Sequence, residues 1–300
     1  MQPPINTIPQ EEFSSHPLLA RLLTLHDVPE KIYIQGKLPE VEIDEYGRLT
    51  PRILTVVGSR KNTTYGRDAL EKLISSISNE PVIIVSGLAL GIDGLAHKEA
   101  LKNNLITVAV PGSGLSAKVI YPATHYSLSQ EILENGGCLI SELAPEISAA
   151  QWTFPARNRI MSAFADAILV VEAGEKSGTL ITARQSLELG RDIGVIPGSI
   201  FSPTSLGANS LIKDGAMPIT SREDLLDLLH LTQTNTEKDT SKLFLTEDEQ
   251  VIFELLTENI SRDELLIKSN LPMQRFLVAI SNLEIKGYIQ DTFGEVRRIV

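Results

Sequence analysis

The sequence has little cysteine and no long hydrophobic run. Its 300 residues include a single cysteine, Cys138, which cannot form an intrachain disulfide or build a cysteine-based metal site. No apolar stretch approaches the ~20 residues of a membrane-spanning helix. Residues 1–12 lack the basic and apolar regions of a secretory signal. These absences predict a soluble protein of a reducing, cytoplasmic compartment.

The chain also lacks a surplus of positive charge. It carries 27 Lys and Arg against 38 Asp and Glu, for a formal net charge of −11. Such a balance argues against binding of nucleic acid over the whole surface, so a bound polyanion requires a local basic cleft. The hydrophobic fraction of 42% and charged fraction of 22% exclude a disordered chain.

The middle of the sequence alternates apolar, β-branched runs with helix-like stretches. The runs predict buried strands at Ile53–Val57, Val82–Val85, Ile106–Val110, Cys138–Ile140, Ile168–Val171 and Ile193–Ile196. The stretches between them predict helices at Tyr65–Ser78, Gly91–Asn103, Ser127–Asn135 and Gly178–Gly190. This alternation is typical of βαβ units and predicts an α/β fold for residues 51–230, an extended Rossmann-like, doubly wound, mainly parallel sheet. Residues 1–50, with a short helix in His16–Leu25 and a strand at Lys31–Gln35, are expected to pack on it as an N-terminal extension.

The C-terminal part predicts a second, smaller domain. Polar residues 231–243 are typical of a linker, and residues 244–300 predict a winged helix. Its three helices are expected at Thr246–Thr257, Ser261–Ser269 and Pro272–Lys286, the first two with capping boxes, before a β-ribbon around Phe293-Gly294. Ten acidic against six basic residues from Phe244 onward favour a protein-facing or self-associating role over duplex binding.

Glycine follows most of the predicted strands, at the edge where doubly wound sheets bind ligands. Small residues there let a backbone approach phosphates, and arginines with an aromatic suit single-stranded nucleic acid. The candidate single-stranded DNA-binding residues are Gly58, Ser59, Arg60, Gly87, Gly91, Phe154, Arg157, Asn158, Arg159, Lys176, Ser177, Gly178 and Thr179. The segment from Trp152 to Arg159 is expected to precede an apolar helix. A packing role for Phe154 and a structural ion-pair network for Arg157 and Arg159 remain the alternative.

Catalytic and cofactor motifs are missing from the sequence. It contains no nucleophile elbow, Walker A motif or His-Glu-x-x-His zinc motif, and no close-spaced metal ligands. The first strand is followed by one glycine where dinucleotide enzymes carry Gly-x-Gly-x-x-Gly, which argues against NAD binding. Asp93 is interpreted as a helix cap or loop brace, and His97 as a packing or hydrogen-bonding residue. We therefore expect no catalytic residues, no metal and no cofactor.

The order of these motifs from His16 to Leu228 resembles the DNA-processing protein A (DprA/Smf) family. The resemblance rests on segments 57–60, 86–97, 121–122, 141–142, 154–160, 171–173, 177–183, 197–198 and 215–216. It implies a cytoplasmic homodimer, not an enzyme, that binds and protects incoming single-stranded DNA and loads the RecA recombinase in natural transformation. The chain departs from the family at two positions: His125 stands where the family usually has Asn, and Gln151 lies in a region where relatives often carry Lys. It also lacks the extra N-terminal helical domain of many relatives.

A second, more distant resemblance is to the LOG-type nucleotide phosphoribohydrolases. Those enzymes use a Glu in the motif Pro-Gly-Gly-x-Gly-Thr-x-x-Glu, whereas Thr182 stands at that position here. A threonine hydroxyl cannot replace a carboxylate in acid–base catalysis near neutral pH. A LOG-like nucleotide-binding enzyme or nucleotide sensor is thus kept as the alternative function.

Overall fold

The structure, a computed structural model, describes residues 3–44, 47–231, 245–256, 260–286, 288–292 and 295–298. Its internal contacts divide the chain into two units, residues 1–233 and residues 234–300. The predicted linker lies, except for Leu231, outside the described residues. The predicted domain boundaries at 50, 230 and 243 therefore stay a prediction.

Eleven strands and eight α-helices are described in the first unit. The strands are β1 (Ile5–Pro9), β2 (Lys31–Gly36), β3 (Glu42–Ile43), β4 (Leu49–Thr50), β5 (Arg52–Gly58), β6 (Val82–Ser86), β7 (Thr107–Ala109), β8 (Cys138–Ser141), β9 (Ala167–Val171), β10 (Asp192–Val195) and β11 (Met217–Pro218). The helices are α1 (Pro17–Ala20), α2 (Thr64–Ser76), α3 (Ile92–Lys102), α4 (Tyr126–Glu134), α5 (Thr153–Phe164), α6 (Gly178–Glu188), α7 (Leu206–Lys213) and α8 (Arg222–Leu228). The six predicted strands and four predicted helices are present within one or two residues of their expected ends.

Nine of these strands form one sheet in the order β1-β2-β8-β7-β6-β5-β9-β10-β11. The seven strands from β8 to β11 in that order run parallel, while β2 pairs antiparallel with both β8 and β1. The chain proceeds outward from β5 to β8 on one side and from β9 to β11 on the other. The predicted Rossmann-like fold is confirmed, and its topological switch point lies between β5 and β9.

Alternating side chains of the central strand pack against helices on both faces of the sheet. Leu54 and Val56 of β5 are buried in one cluster with residues of α2 and α3. Ile53 and Val57 are buried in another, with residues of α5 and α6. A strand buried on both faces needs apolar residues at every position, which explains why these strands stand out in the sequence.

The N-terminal segment differs from its prediction. Its strands β1 and β2 belong to the main sheet, so residues 5–36 extend the sheet in addition to packing on it. The helix expected over His16–Leu25 is divided into α1 and a 3₁₀ helix at Arg21–Thr24. Strand β1 was not predicted because its residues are half-buried or exposed, form no apolar run and include Pro9.

The second unit contains three helices and a three-stranded antiparallel sheet. They are α9 (Glu247–Leu255), β12 (Ile260–Ser261), α10 (Arg262–Ser269), α11 (Met273–Ile285), β13 (Ile289–Thr292) and β14 (Glu295–Arg298), with strand order β12-β14-β13. Thr246 and Glu249 form the predicted capping box, and the Ser261 hydroxyl accepts the Glu264 N–H. The helices and ribbon match their expected positions, whereas the winged-helix assignment stays a prediction and Phe293-Gly294 lies outside the described residues.

None of the helices in the described ranges has the length and apolar character needed to cross a membrane.

Candidate nucleic-acid interface

A pocket of about 450 Å³ opens at the switch point of the sheet. Its walls come from the loop after β5, the start of α3, one face of α5 and the first turns of α6. The lining residues are Val57, Gly58, Ser59, Arg60, Lys61, Ala89, Asp93, Phe154, Pro155, Arg157, Asn158, Met161, Ser177, Gly178, Thr179, Ile181 and Thr182. The structure thus brings together chain segments that are about 120 residues apart in sequence.

Nine of the thirteen residues predicted for this site line the pocket. They are Gly58, Ser59, Arg60, Phe154, Arg157, Asn158, Ser177, Gly178 and Thr179. The other four, Gly87, Gly91, Arg159 and Lys176, lie outside the lining. The sequence analysis missed Lys61, although its place directly after Arg60 was a signal for it, and Thr182 and Ile181, which follow one turn into α6.

Arg60 and Phe154 pack together at the pocket. The Arg60 side chain is exposed, and its guanidinium carbon lies 4.7 Å from the centroid of the half-buried Phe154 ring. Tyr121 packs on the same ring with a centroid distance of 5.7 Å. Within the described part of the chain Arg60 forms no ion pair. An exposed cation held over an aromatic ring is free to meet an anion from solvent.

Helix α5 places its two arginines on different sides. The Phe154–Arg159 segment, predicted to precede a helix, forms the first two turns of α5 instead. Residues 154, 157 and 158 are spaced by three and four positions and share the pocket face. Arg159 lies about 200° around the helix from Arg157. Its guanidinium pairs with Glu142 at 2.5 Å and Asp27 at 3.7 Å.

Arg157 is buried and joins the ends of two strands. Its Nη1 donates to the carbonyl oxygens of Gly87 and Val110, which follow β6 and β7. Its Nη2 lies 3.9 Å from the Asp93 carboxylate, and its Nε donates to Asn158 Oδ1 at 3.0 Å. Burial lowers the pKa of Arg157 to about 10, so the guanidinium remains charged at neutral pH. Its position makes it a brace beneath the pocket.

The loop between β6 and α3 is held by buried polar groups. The Asp93 carboxylate accepts hydrogen bonds from the backbone of Ala89 and Gly87. Burial raises the pKa of this carboxyl group, an effect that the nearby positive charge of Arg157 partly offsets. From the other side, Nδ1 of His125 lies 2.8 Å from the Leu88 carbonyl oxygen. A carboxylate that accepts backbone N–H groups fixes a loop, as the sequence suggests for Asp93.

His97 is a buried packing residue. Its Nδ1 lies 2.7 Å from the Thr107 hydroxyl, and burial lowers the pKa of the imidazole to about 3. The ring is therefore neutral at physiological pH, and it lies outside the pocket lining. This agrees with the interpretation from sequence.

Two glycines allow the loops to approach one another. A Cβ at Gly58 would lie 2.0 Å from the Val171 carbonyl oxygen. Gly91 has φ of +78°, and a Cβ there would lie 2.2 Å from the Ser59 carbonyl oxygen, which accepts the Ile92 N–H at 3.1 Å. These glycines therefore have a packing role in bringing the strand-end loops together at the switch point.

The start of α6 forms the opposite wall. Ser177 caps the helix by accepting the Thr179 N–H at 3.2 Å. No atom lies within 4 Å of where a Cβ of Gly178 would be, so the first turn is open. Lys176 is exposed just outside the lining. A helix N-terminus that faces an open pocket favours a negatively charged ligand.

The charged residues in the lining give the pocket a positive balance. They are Arg60, Lys61 and Arg157 against Asp93, although the whole chain has a net charge of −11. Among the described residues no group of three or more His, Cys, Asp or Glu could hold a metal ion. The pocket combines an exposed cation, an aromatic ring and a helix N-terminus, groups that suit a phosphate attached to a flat base.

Comparison with known proteins identifies relatives of this chain. Protein Smf of Escherichia coli K12 is 34% identical over 287 residues, which covers 93% of this chain and 74% of that protein. The X-ray structure of DNA processing protein A (DprA) from Streptococcus pneumoniae has a TM-score of 0.65 and 35% identity, covering 74% of each chain. A structure of DNA processing protein A from Helicobacter pylori, reported for its single-stranded DNA binding mode, has a TM-score of 0.62 and 27% identity, covering 77% of this chain and 99% of that one.

The match extends over the first unit as a whole. The profile of the family described as DNA recombination-mediator protein A matches residues 6–230, from the first strand of the sheet to the end of the last helix of that unit. The pocket residues from Val57 to Thr182 all lie within this range. The chain belongs to the DNA recombination-mediator protein A family, that of the DprA and Smf proteins.

Proposed function

We propose that this protein binds single-stranded DNA in the pocket between β5 and β9 and acts as a recombination mediator. The observation that carries the proposal is the Arg60–Phe154 pair. It presents an exposed cation, unpaired among the described residues, on an aromatic ring at the switch point of the sheet. Single-stranded nucleic acid is bound by cations along the phosphates and by flat side chains beneath the bases.

The pocket residues divide into two groups by their contacts. Arg60, Lys61 and the open first turn of α6 are accessible to phosphate, and Phe154 is accessible to a base. Arg157 and the glycines brace the loops that carry these groups and act through them. Arg159, paired with Glu142, has the contacts of a structural residue.

The wider role follows from the family. The family description names a recombination mediator, and the Helicobacter pylori relative is described as binding single-stranded DNA. We extend this to the finer expectations from sequence: the protein protects incoming single strands, passes them to a RecA recombinase during natural transformation, and works as a homodimer in the cytoplasm. Binding to the phosphate backbone and stacking without base-edge contacts support a role on DNA of any sequence.

The LOG-like enzyme is the competing function for the same pocket. Thr182 lines the pocket at the position of the catalytic Glu of that group. Asp93, the carboxylate in the lining, is buried and bound to backbone N–H groups. We therefore assign the pocket to binding. Incubation with nucleoside monophosphates tests this: steady release of free base that is lost in Arg60→Ala, a pocket variant expected to fold, would support the enzyme instead.

Photocrosslinking tests the location of the site. A single-stranded oligonucleotide carrying iodouracil is irradiated with the full-length protein, and the crosslinked peptide is identified by mass spectrometry. We expect the crosslink at Phe154 or Tyr121, the two aromatic rings in contact at the pocket. Crosslinks confined to residues 245–298 would contradict the proposal.

A further inference from the structure

Two apolar side chains stand exposed beyond the pocket, between β10 and α7. The Ile200 side chain is 73% exposed and that of Phe201 is 90% exposed. They belong to residues 199–205, here termed the 199–205 loop. Removing a large apolar side chain from water is favourable, and contiguous exposed apolar surface is a feature of interaction sites.

The loop is held at both ends by hydrogen bonds. The Asn209 amide accepts the Gly198 N–H at 3.2 Å and donates to the Gly198 carbonyl oxygen at 2.9 Å. Ser199 Oγ accepts the Phe201 N–H at 3.2 Å, and the Thr204 hydroxyl donates to Glu172 at 3.3 Å. The loop therefore presents Phe201 to solvent from a fixed backbone.

The 199–205 loop also contacts the segment that leads into the pocket. Pro203 of the loop lies against this segment, since a Cβ at Gly174 would lie 3.2 Å from the Pro203 carbonyl oxygen. Just beyond the loop, the Ala208 N–H of α7 donates to the Ala173 carbonyl oxygen at 3.0 Å. Three residues after Gly174 the chain reaches Ser177, which caps α6 in the pocket wall. One short segment, residues 173–177, therefore contacts the loop at one end and enters the pocket wall at the other.

Sheet topology places the loop and the pocket at the same edge. Strands β5, β9 and β10 are parallel neighbours, so the segments after their carboxyl ends lie side by side. Adjacent strands are ~4.8 Å apart, which puts β5 and β10 roughly 10 Å from one another. This separation is within the reach of a few nucleotides of a single strand.

We propose that Phe201, assisted by Ile200, is a second stacking platform for single-stranded DNA, beyond the pocket and along the same sheet edge. This inference rests on the proposed function. The occupant is a base of the same strand, because the loop packs against the segment that leads into the pocket wall, and exposed Lys176 lies on that segment, where it can meet the intervening phosphate. An exposed phenyl ring stacks on any base, which suits binding without sequence preference.

The test compares two oligothymidines with full-length protein by fluorescence anisotropy. One has ~4 nucleotides and fills the pocket alone, and the other has ~12, lengths within the range that single binding folds cover. The variants are Phe201→Ala, Phe201→Tyr, which keeps an aromatic ring, and Arg60→Ala. Ile43→Ala is the matched control, because Ile43 is 60% exposed on a hairpin that precedes the amino end of β5.

We expect Phe201→Ala to weaken binding of the longer oligonucleotide by roughly tenfold and to leave the shorter one unchanged. Phe201→Tyr restores the affinity, and Ile43→Ala has no effect on either length. If the native protein binds neither oligonucleotide, the proposed function fails. If it binds both and Arg60→Ala weakens them while Phe201→Ala weakens neither, the second platform alone is refuted. A change of molecular mass with Phe201→Ala in sedimentation would assign the loop to self-association and also refute it.

Discussion

Replacing Arg60 with alanine removes one exposed cation from the pocket and little else. The side chain is exposed, and its described contact is the Phe154 ring at 4.7 Å. A cation–π contact at an exposed site contributes about 0.5–1 kcal/mol, so the free energy of unfolding falls by no more than about 1 kcal/mol. The variant is therefore expected to fold, and its DNA affinity can be compared directly with that of the native protein.

The effect on binding is larger than the effect on folding. A hydrogen bond to a charged group contributes about 1.5–3 kcal/mol, which corresponds to roughly a 10- to 150-fold loss of affinity. Loss of one phosphate contact also reduces the slope of log affinity against log salt by about 0.7 on a single strand. Arg60→Lys restores part of the affinity, because a lysine keeps the charge but lacks the planar fork of donors.

The assay is a salt series of fluorescence anisotropy titrations with a labelled single strand. Arg159→Ala is the matched control: this arginine lies on the same helix as Phe154, but it pairs with Glu142 outside the pocket lining. We expect Arg159→Ala to leave the salt slope unchanged. Equal reductions in slope for the two arginines would refute the division between pocket and structural cations, as would an Arg60→Ala protein with native affinity.

Three further predictions concern stability and domain organisation. Arg157→Ala leaves buried Asp93 without its counter-charge and two carbonyl oxygens without a donor. The free energy of unfolding, measured in urea, is therefore expected to fall by about 3–5 kcal/mol. A loss below about 1 kcal/mol would contradict the bracing role. His97 has a folded-state pKa of about 3, below its unfolded value of about 6.5, so below pH 6.5 the unfolded state binds a proton that the folded state does not. The free energy of unfolding therefore falls as the pH drops below 6.5, by up to about 1.4 kcal/mol per pH unit. Urea unfolding at pH 7 and pH 5 checks this, and His97→Gln should reduce the difference in stability between the two pH values. A fragment ending at His230 keeps all pocket residues, so it is expected to fold and to bind single-stranded DNA as tightly as the full chain. A tenfold drop in its affinity for single-stranded DNA would assign DNA contacts or self-association to the second unit.

The parallel sheet was predictable because its strands are buried on both faces. Ile168–Val171 is apolar at every position, and Ile53–Val57 is apolar except for the β-branched Thr55, a pattern typical of strands buried on both faces. Strand β1, Ile5–Pro9, pairs only with β2 at the edge of the sheet and includes polar and proline residues. Edge strands need no continuous apolar run, so the sequence carried little signal for it.

The candidate site was predicted in its residue types and less well in its geometry. Strand-end glycines and Arg60 follow from the rule that ligands bind beyond the carboxyl ends of parallel strands, and Phe154 follows from its place beside two arginines. The roles of Arg157 and Arg159 depend on whether α5 begins before or after them. Because it begins before them, the rotation of about 100° per residue places the two side chains on different sides of the helix. Pro155 in the first turn was a signal for that start, since proline is tolerated there.

The packing roles of the glycines could not be predicted from one strand at a time. Gly87 lies against the Arg157 guanidinium, 70 residues away, and Gly58 lies against the carbonyl oxygen of Val171. A glycine that lets a ligand approach the backbone and a glycine that lets another chain segment pack against it look the same in the local sequence. Only the assembled sheet distinguishes the two.

The measurement that tests the central claim most directly is the affinity of the full-length protein for a single strand and for a duplex of equal length, across a salt series. We predict tighter binding of the single strand at every salt concentration, little dependence on base sequence, and a steep fall in affinity with added salt, because phosphate contacts and stacking supply the binding energy. Equal affinity for single strand and duplex, or binding that does not change with salt, would contradict the account.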